Sequence, residues 1–368
     1  MKLIIAGGGT GGHLYIGIAL ARELQRRDPR HDVLFVGTRR GLEARIVPNE
    51  GFRLEFITSA GLKGMGAWRW MKNFLIIPRS LLQSRRLVRS FSPGLVMGVG
   101  GYSSGPVVLA AWWLRKPTLI VEPNAYPGLA NRWLSRVVDQ VALALPDAAG
   151  YFGNRAVVTG IPVRSEFAAA RPVTHEPGRL TLLVYGGSQG SQALNSTMCG
   201  ALPQLKQIGS ALRIIHQTGD KDLEQVRSAY REAGSAADVR AFLPRIYEEF
   251  GQADLIICRA GASTVAEITA AGKAAILVPF PAAADDHQTK NARALEKAGA
   301  AVMIRQSEFA PERLVREIRH YMENTEALRH MEEAARRLGR PDATRTIADM
   351  VEVLAGGQNR SAPSRRQA

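Results

Sequence analysis

Cysteine is nearly missing from this chain: two in 368 residues, Cys199 and Cys258, far apart and at no metal-ligand spacing. A disulfide framework and a zinc site are therefore not expected. Both thiols read as small buried hydrophobes in a protein of a reducing compartment. Long apolar runs are missing as well. The stretch Phe74 to Ile77 and its like fall far short of the roughly 20 residues a membrane-spanning helix needs. The opening run Leu3 to Ala6 is too short for a signal peptide and passes straight into glycine. Acid is scarce relative to base, 33 Asp plus Glu against 48 Lys plus Arg, a net charge of +15. That excess favours a polyanionic partner: nucleic acid, an anionic membrane surface or a phosphorylated substrate. No helix-turn-helix, zinc-finger or RNP-like pattern accompanies the charge, so nucleic acid is not expected.

What is present is a repeated alternation. Short Val/Ile/Leu-rich runs predict strands at Leu3–Ala6, Val33–Val36, Leu95–Val99, Thr118–Val121, Gln140–Leu143 and Ala156–Thr159. A second series follows at Leu180–Tyr185, Leu212–His216, Val239–Phe242, Leu255–Cys258, Ala274–Val278 and Ala301–Ile304. Segments of helical period separate them, so parallel sheets covered on both faces are expected. Each series opens with a strand, a Gly-rich turn and a helix: "IIAGGGTGGHLYIGIAL" (4–20) and "LTLLVYGGSQGSQALNSTM" (180–198). The fold class is α/β, two Rossmann-like domains facing across a cleft. The Pro-rich segment 159–178 serves as linker, and a last helix runs from about Pro341 to Leu354 before a polar tail.

Both turns direct backbone N–H groups and a helix N-terminus at a point beyond a strand, an arrangement that attracts anions. The first also satisfies G-x-G-x-x-G with Gly7, Gly9 and Gly12. An NAD site would want an acid after the second strand, but that strand ends "FVGTRR". Arg39 and Arg40 instead keep an NADP-dependent oxidoreductase open as a reading. Against it, His13 follows Gly12 directly and puts an imidazole in the first helical turn. Further along, "CRAGASTVAEITAAG" (258–272) and "VPFPAAADDHQTKNARALEKAGA" (278–300) repeat strand, loop, helix. In the former, Ser263 or Thr264 suits a helix cap, and Glu267 is either an acid near a positive helix end or an acceptor for ribose hydroxyls. In the latter, Asp285 with Gln288 reads as a capping box. Gln288 and Asn291 also share a helix face and carry the donors and acceptors a sugar needs.

Together, "GGTGGH" (8–13), "GVGGYSSGP" (98–106), "EPN" (122–124), "GGSQG" (186–190), "RAGASTVAE" (259–267) and "DDHQTKNA" (285–292) resemble the MurG family. These are UDP-N-acetylglucosamine transferases that complete lipid II, the peptidoglycan precursor. The likeness runs in order from residue 3 to about residue 355. It implies a GT-B glycosyltransferase without a cofactor or a metal at the diphosphate. Residues 1–160 would bind the acceptor lipid I and the membrane, 161–340 the UDP-sugar. Residues 341–356 would form a helix packed back on the N-terminal domain, and 357–368 a disordered tail. By the family pattern, Arg164, Gly187, Ser188, Gln189, Gly190, Glu267, Gln288 and Asn291 would hold UDP-N-acetylglucosamine. Thr10, Gly11, Gly12, Gly100, Gly101, Tyr102, Ser103 and Asn124 would face the acceptor and its diphosphate. Four positions depart from the pattern. Val121 stands where a histidine is usual, Pro123 for a glutamine, Ile161 for an asparagine and Ile16 for a proline.

His13 is the first choice for the base that deprotonates the acceptor hydroxyl, since imidazole titrates near neutral pH. Glu122 is the second. One base opposite the leaving group would give inversion at the anomeric carbon. The stretch "GAWRWMKNFLIIPRSLLQSRRLVRS" (66–90) mixes Trp68, Trp70, Phe74 and Ile77 with Arg79, Arg85 and Arg86. This composition suits an anionic phospholipid surface and a peripheral place on the cytoplasmic face of the inner membrane. Cell-wall synthesis proteins are further expected partners. Rival readings are another GT-B nucleotide-sugar enzyme, the NADP-dependent oxidoreductase, and a non-enzymatic basic binding protein.

Overall fold

Apolar runs too short for buried helices, bounded by glycine and polar residues, become two all-parallel sheets in the computed structural model, which describes residues 1–8, 11–59, 67–169 and 174–357, the side chains of 67–75 excepted. The first sheet contains β1 (Lys2–Gly7), β2 (Asp32–Gly37), β3 (Arg53–Phe56), β4 (Leu95–Gly100), β5 (Thr118–Glu122), β6 (Gln140–Leu143) and β7 (Ala156–Val158), in the order β3-β2-β1-β4-β5-β6-β7. The second contains β8 (Leu180–Tyr185), β9 (Leu212–Gln217), β10 (Asp238–Arg240), β11 (Leu255–Cys258), β12 (Ala275–Leu277) and β13 (Val302–Met303), in the order β10-β9-β8-β11-β12-β13. Of the central strands, β4 is buried along its length and β1 from Leu3 onward, because helices cover both faces.

The α/β class with two doubly wound sheets is as expected. One strand was not foreseen. β3 reads "RLEF", pairs only with β2 and alternates between exposed and half-buried residues, so it lacks the continuous apolar run of its neighbours.

The chain divides into two compact units, Met1–Pro162 with the segment from Asp342 onward, and Val163–Pro341. The helix Ala343–Ala355 belongs to the first. It buries Ile347, Ala348, Val351 and Leu354, and it packs against the helix Gly11–Arg27. Arg27 fastens the pair: its guanidinium donates to Asp349 at 2.6 Å, to Glu352 at 2.9 Å and to the Arg345 carbonyl at 3.0 Å. The tail expected at 357–368 lies, from residue 358, outside the described residues.

In the second unit a charged cluster is buried at the N-terminal ends of β8 and β11. His175 Nδ1 lies 2.7 Å from Asp254 Oδ1, and its Nε2 3.3 Å from Glu332 Oε2. Asp254 Oδ2 also accepts the Thr181 amide at 2.7 Å, which ties the cluster to the first residues of β8. Bonding to Asp254 and then to Glu332 raises the His175 pKa from 6.5 to about 9. Because the folded value is the higher, the stabilisation is complete below the unfolded value and is lost as pH rises through the folded one. It amounts to at most about 3 kcal/mol. The melting temperature should therefore fall between pH 6.5 and about 9. A His175→Gln variant should lose most of that slope. Thermal denaturation across the interval reads it, and an equal slope in both proteins would contradict the pairing.

Candidate functional site

In each sheet the strand order reverses beside the first strand, and the loops leaving the two strands at that point form the natural ligand crevice. In the first unit these loops follow β1 and β4. Gly8 N donates to the Gly100 carbonyl at 3.3 Å. Gly101 adopts φ +83°, and a Cβ there would lie 2.1 Å from the Gly8 carbonyl oxygen, so only glycine permits this approach. His13, in the first turn of the helix Gly11–Arg27, is half-buried with its ring about where a Cβ on Gly100 would sit, 3.0 Å away. Gly11 and Gly12 begin the same helix; Thr10 lies outside the described residues. Tyr102 is exposed, and its carbonyl accepts from Ser59 Oγ at 2.6 Å. Ser103 is 1% exposed, and its hydroxyl and that of Ser104 have no hydrogen-bond partner among the described residues. Two buried hydroxyls at the start of the helix Ser104–Trp113, beside the loop amides, suit an anionic ligand.

Glu122, expected as second base, is 1% exposed. It accepts from the Asn124 amide (3.0 Å) and side chain (3.2 Å), the Gly128 amide (3.1 Å) and Asn131 Nδ2 (2.9 Å). Burial raises its pKa while these donors oppose the rise. Its geometry is that of a carboxylate holding the loop 123–128, which leaves the half-buried His13 as the candidate base. Sequence reading missed Glu43, a buried carboxylate that accepts from the Thr38 amide and hydroxyl at 2.9 Å each. It fills the space that side chains at Gly8, Gly37 and Gly41 would need. The signal available was its place in "GTRRGLE", a turn with glycines at both ends.

In the second unit the loops follow β8 and β11. Gly190 N closes the turn on the Gly187 carbonyl at 2.9 Å. The loop then interlocks with the end of β9: a Cβ on Gly190 would lie 1.8 Å from the Thr218 carbonyl oxygen, and one on Gly219 2.2 Å from that of Gln189. Gln217 reinforces the contact by accepting the Gly186 amide at 3.2 Å. Ser188 and Gln189 are exposed at the tip, while Ser191, 8% exposed, has a buried hydroxyl without a partner at the start of the helix Gln192–Leu205.

Beside that loop the helix Ala262–Ala271 is capped by Gly261, with no side-chain cap, so neither Ser263 nor Thr264 does what the sequence suggested. Glu267 lies half-buried in the middle of this helix rather than in its first turn. Burial pushes its carboxyl up to about 7, against the opposing pull of Arg164. The exposed Arg164 guanidinium stacks on Phe167 and Tyr247, 5.1 Å from each ring, and donates to the Pro244 carbonyl. The Asp285–Gln288 capping box is also corrected. Asp285 and Asp286 both take left-handed φ, 54° and 55°, and Gln288 Oε1 accepts the Phe280 amide at 2.9 Å. Asn291 is fully buried and donates to the Ala260 carbonyl at 3.1 Å. Arg259, also missed, binds the Val278 and Pro279 carbonyls and Gln306, which joins the loops after β11 and β12. Among the described residues, no three His, Cys, Asp or Glu side chains converge as metal ligands.

Residues 3–143 match the glycosyltransferase family 28 N-terminal domain, and residues 181–347 the glycosyltransferase family 28 C-terminal domain. A protein of Anaeromyxobacter sp. (strain Fw109-5) is 50% identical over 96% of this chain and 93% of its own. One from Syntrophus aciditrophicus (strain SB) is 47% identical over 95% and 97%. Both carry the name UDP-N-acetylglucosamine–N-acetylmuramyl-(pentapeptide) pyrophosphoryl-undecaprenol N-acetylglucosamine transferase. The crystal structure of Acinetobacter baumannii MurG is 34% identical, with a TM-score of 0.81 over 95% of this chain and 99% of that one. The four departures from the family pattern are all buried here: Ile16, Val121, Pro123 and Ile161.

Burial of Glu267 yields a direct expectation. Its carboxyl should titrate near 7 rather than near 4.5, read from the side-chain carbon shift. Replacing Arg164 with Ala removes the opposing cation and should move the midpoint higher. A midpoint that stayed put in Arg164→Ala would separate the two residues.

Proposed function

The chain belongs to glycosyltransferase family 28, and from this we propose that it transfers N-acetylglucosamine from UDP to the C4 hydroxyl of the N-acetylmuramyl-pentapeptide carried on undecaprenyl diphosphate. It is a hexosyltransferase of peptidoglycan synthesis. The observation that carries the reading is the loop 186–190, locked against Thr218 with a buried, unpartnered Ser191 hydroxyl at its helix start. Such a loop meets the charge that grows on a departing diphosphate with fixed amides and a helix dipole. We assign the diphosphate to the turn formed by Gly187, Ser188, Gln189 and Gly190, in which the Gly190 amide holds the Gly187 carbonyl and so shapes the turn rather than donating to the ligand. The ribose goes to Glu267, the sugar to Gln288 and the Asn291 region, and Arg164 approaches the same ligand.

In the first unit, the acceptor's own diphosphate would rest on Gly11, Gly12 and the loop Gly100, Gly101, Tyr102 and Ser103, with Asn124 on the loop that Glu122 holds. His13 would take the proton from the acceptor hydroxyl as the new bond forms, and the anomeric carbon would invert. The test is to incubate the protein with UDP-N-acetylglucosamine and a short-chain lipid I analogue and to weigh the product. A gain of one N-acetylhexosamine is expected, undiminished by excess EDTA. A His13→Asn variant should lose rate by about two to four orders of magnitude, the usual contribution of a general base. Full rate with weakened acceptor binding would instead make His13 an anion ligand.

We also propose a peripheral site on an anionic bilayer. No helix among the described residues is long and apolar enough to cross a membrane. The side chains of Trp68, Trp70 and Phe74 lie outside the described residues, Ile77 is half-buried, and Arg79 and Arg86 are exposed. The helix Ser104–Trp113 packs against both Ala67–Phe91 and Leu129–Leu134. On these three helices Leu82, Trp113 and Trp133 are 54%, 64% and 67% exposed. Arg85 lies over the Trp113 ring and Arg136 over that of Trp133. Exposed aromatics flanked by cations suit the headgroup region. Replacing Trp113 and Trp133 with Ser should abolish co-sedimentation with cardiolipin-containing vesicles while leaving the melting temperature in place. Unchanged sedimentation would overturn this part of the reading.

A further inference from the structure

Behind the loop 186–190 lies a polar chain whose inner members, Tyr230, His216 and Asn195, are buried. His216 is fully buried and Asn195 is 3% exposed. Asn195 Nδ2 donates to the Thr218 carbonyl at 2.9 Å and to Asp222 Oδ2 at 2.7 Å. Its amide orientation is thereby fixed, and Oδ1 is left to accept. The partner at Oδ1 is His216 Nε2, 3.1 Å away, so that nitrogen carries the proton. The other ring nitrogen, Nδ1, must then accept, and Tyr230 OH lies 3.2 Å from it. Burial pushes the His216 pKa down to about 4, so the ring stays in this neutral tautomer at physiological pH. The chain is directional: Tyr230 donates to His216, His216 to Asn195, and Asn195 to Thr218 and Asp222.

Its end point is what matters. The Thr218 carbonyl that Asn195 holds is the atom against which Gly190 is wedged, and Gly219, the next residue, meets the Gln189 carbonyl in the same way. Asn195 also stands on the first turns of the helix Gln192–Leu205, whose N-terminus carries Ser191. One side chain therefore ties both walls of the turn together: the helix that begins behind it and the strand end it leans on. The backbones approach too closely here for any Cβ, so a shift of the Thr218–Gly219 peptide would be felt by the turn Gly187–Gly190.

We propose that His216 and Asn195 are positioning residues for the diphosphate of the sugar donor, acting through the Thr218 carbonyl on the turn Gly187–Gly190. The inference rests on the donor assignment above, so the experiment measures UDP binding directly and separates the two. Isothermal titration of UDP into the wild-type protein tests the assignment: absence of binding overturns it, and this proposal with it. With wild-type binding in hand, Asn195→Asp keeps the size but removes both Nδ2 donors. It should weaken UDP binding about tenfold or more, as expected when one buried partner is lost. His216→Gln presents an amide donor toward Asn195 and should recover part of that affinity relative to His216→Leu, which cannot donate. In turnover, the Asn195→Asp and His216→Leu variants should raise KM for UDP-N-acetylglucosamine while leaving KM for the acceptor within about twofold, since the acceptor's groups lie in the other unit. Wild-type UDP affinity in Asn195→Asp or His216→Leu overturns the proposal. So does a loss that falls equally on both substrates, because a general weakening of the fold is not selective.

Discussion

Close contact between peptide backbones, possible only without a Cβ, is the constraint on which both halves of this molecule depend. Beside the first strand of each sheet, glycines press on carbonyls of the loop that leaves a neighbouring strand. Gly101, after β4, meets Gly8, after β1, in the first unit; Gly190, after β8, and Gly219, after β9, meet Thr218 and Gln189 in the second. Such packing pins the loops, with the hydroxyls of Ser103, Ser104 and Ser191 buried nearby and without a hydrogen-bond partner among the described residues. Preorganised donors of this kind need no reordering when charge develops on a ligand, which is why they are effective in catalysis.

Acid is used sparingly around these loops, and where it occurs it is occupied by donors of the protein itself. Glu43 spends one carboxylate oxygen on Thr38, Glu122 both of its oxygens on the loop 123–128, and Asp222 takes a proton donor from Asn195. Each negative charge near an anion loop thus has donors of its own. Glu267 is the exception among the residues singled out, since burial raises its pKa and the charge of Arg164 opposes that rise. A carboxyl poised near neutrality beside an anion loop is an acceptor whose strength depends on what approaches it.

Much of this architecture was legible in the sequence because its signals are local. Parallel core strands read as unbroken apolar runs, and the glycine turns stand at their ends. β3 escaped because an edge strand with Arg53 and Glu55 exposed carries no such run. The helix caps failed for a different reason. Ser263, Thr264 and Asp285 have the right chemistry, yet Gly261 and two left-handed aspartates set the backbone instead, and dihedral angles of that kind leave no trace in residue type. Of the site, the loop glycines could be read directly. Asn195, His216 and Arg259 could not, since their importance lies in contacts made across tens of residues.

The fastening of the last helix to the first has a consequence for how the protein is made. Residues that complete the N-terminal unit, Ile347 through Leu354 with the partners of Arg27, leave the ribosome only after the whole second unit has been synthesised. The apolar flank of the helix Gly11–Arg27 must therefore wait, uncovered, while residues 163–341 emerge and are free to fold. Nascent chains halted shortly before Asp342 would be the form most in need of a chaperone, although nearly all of both sheets would already exist.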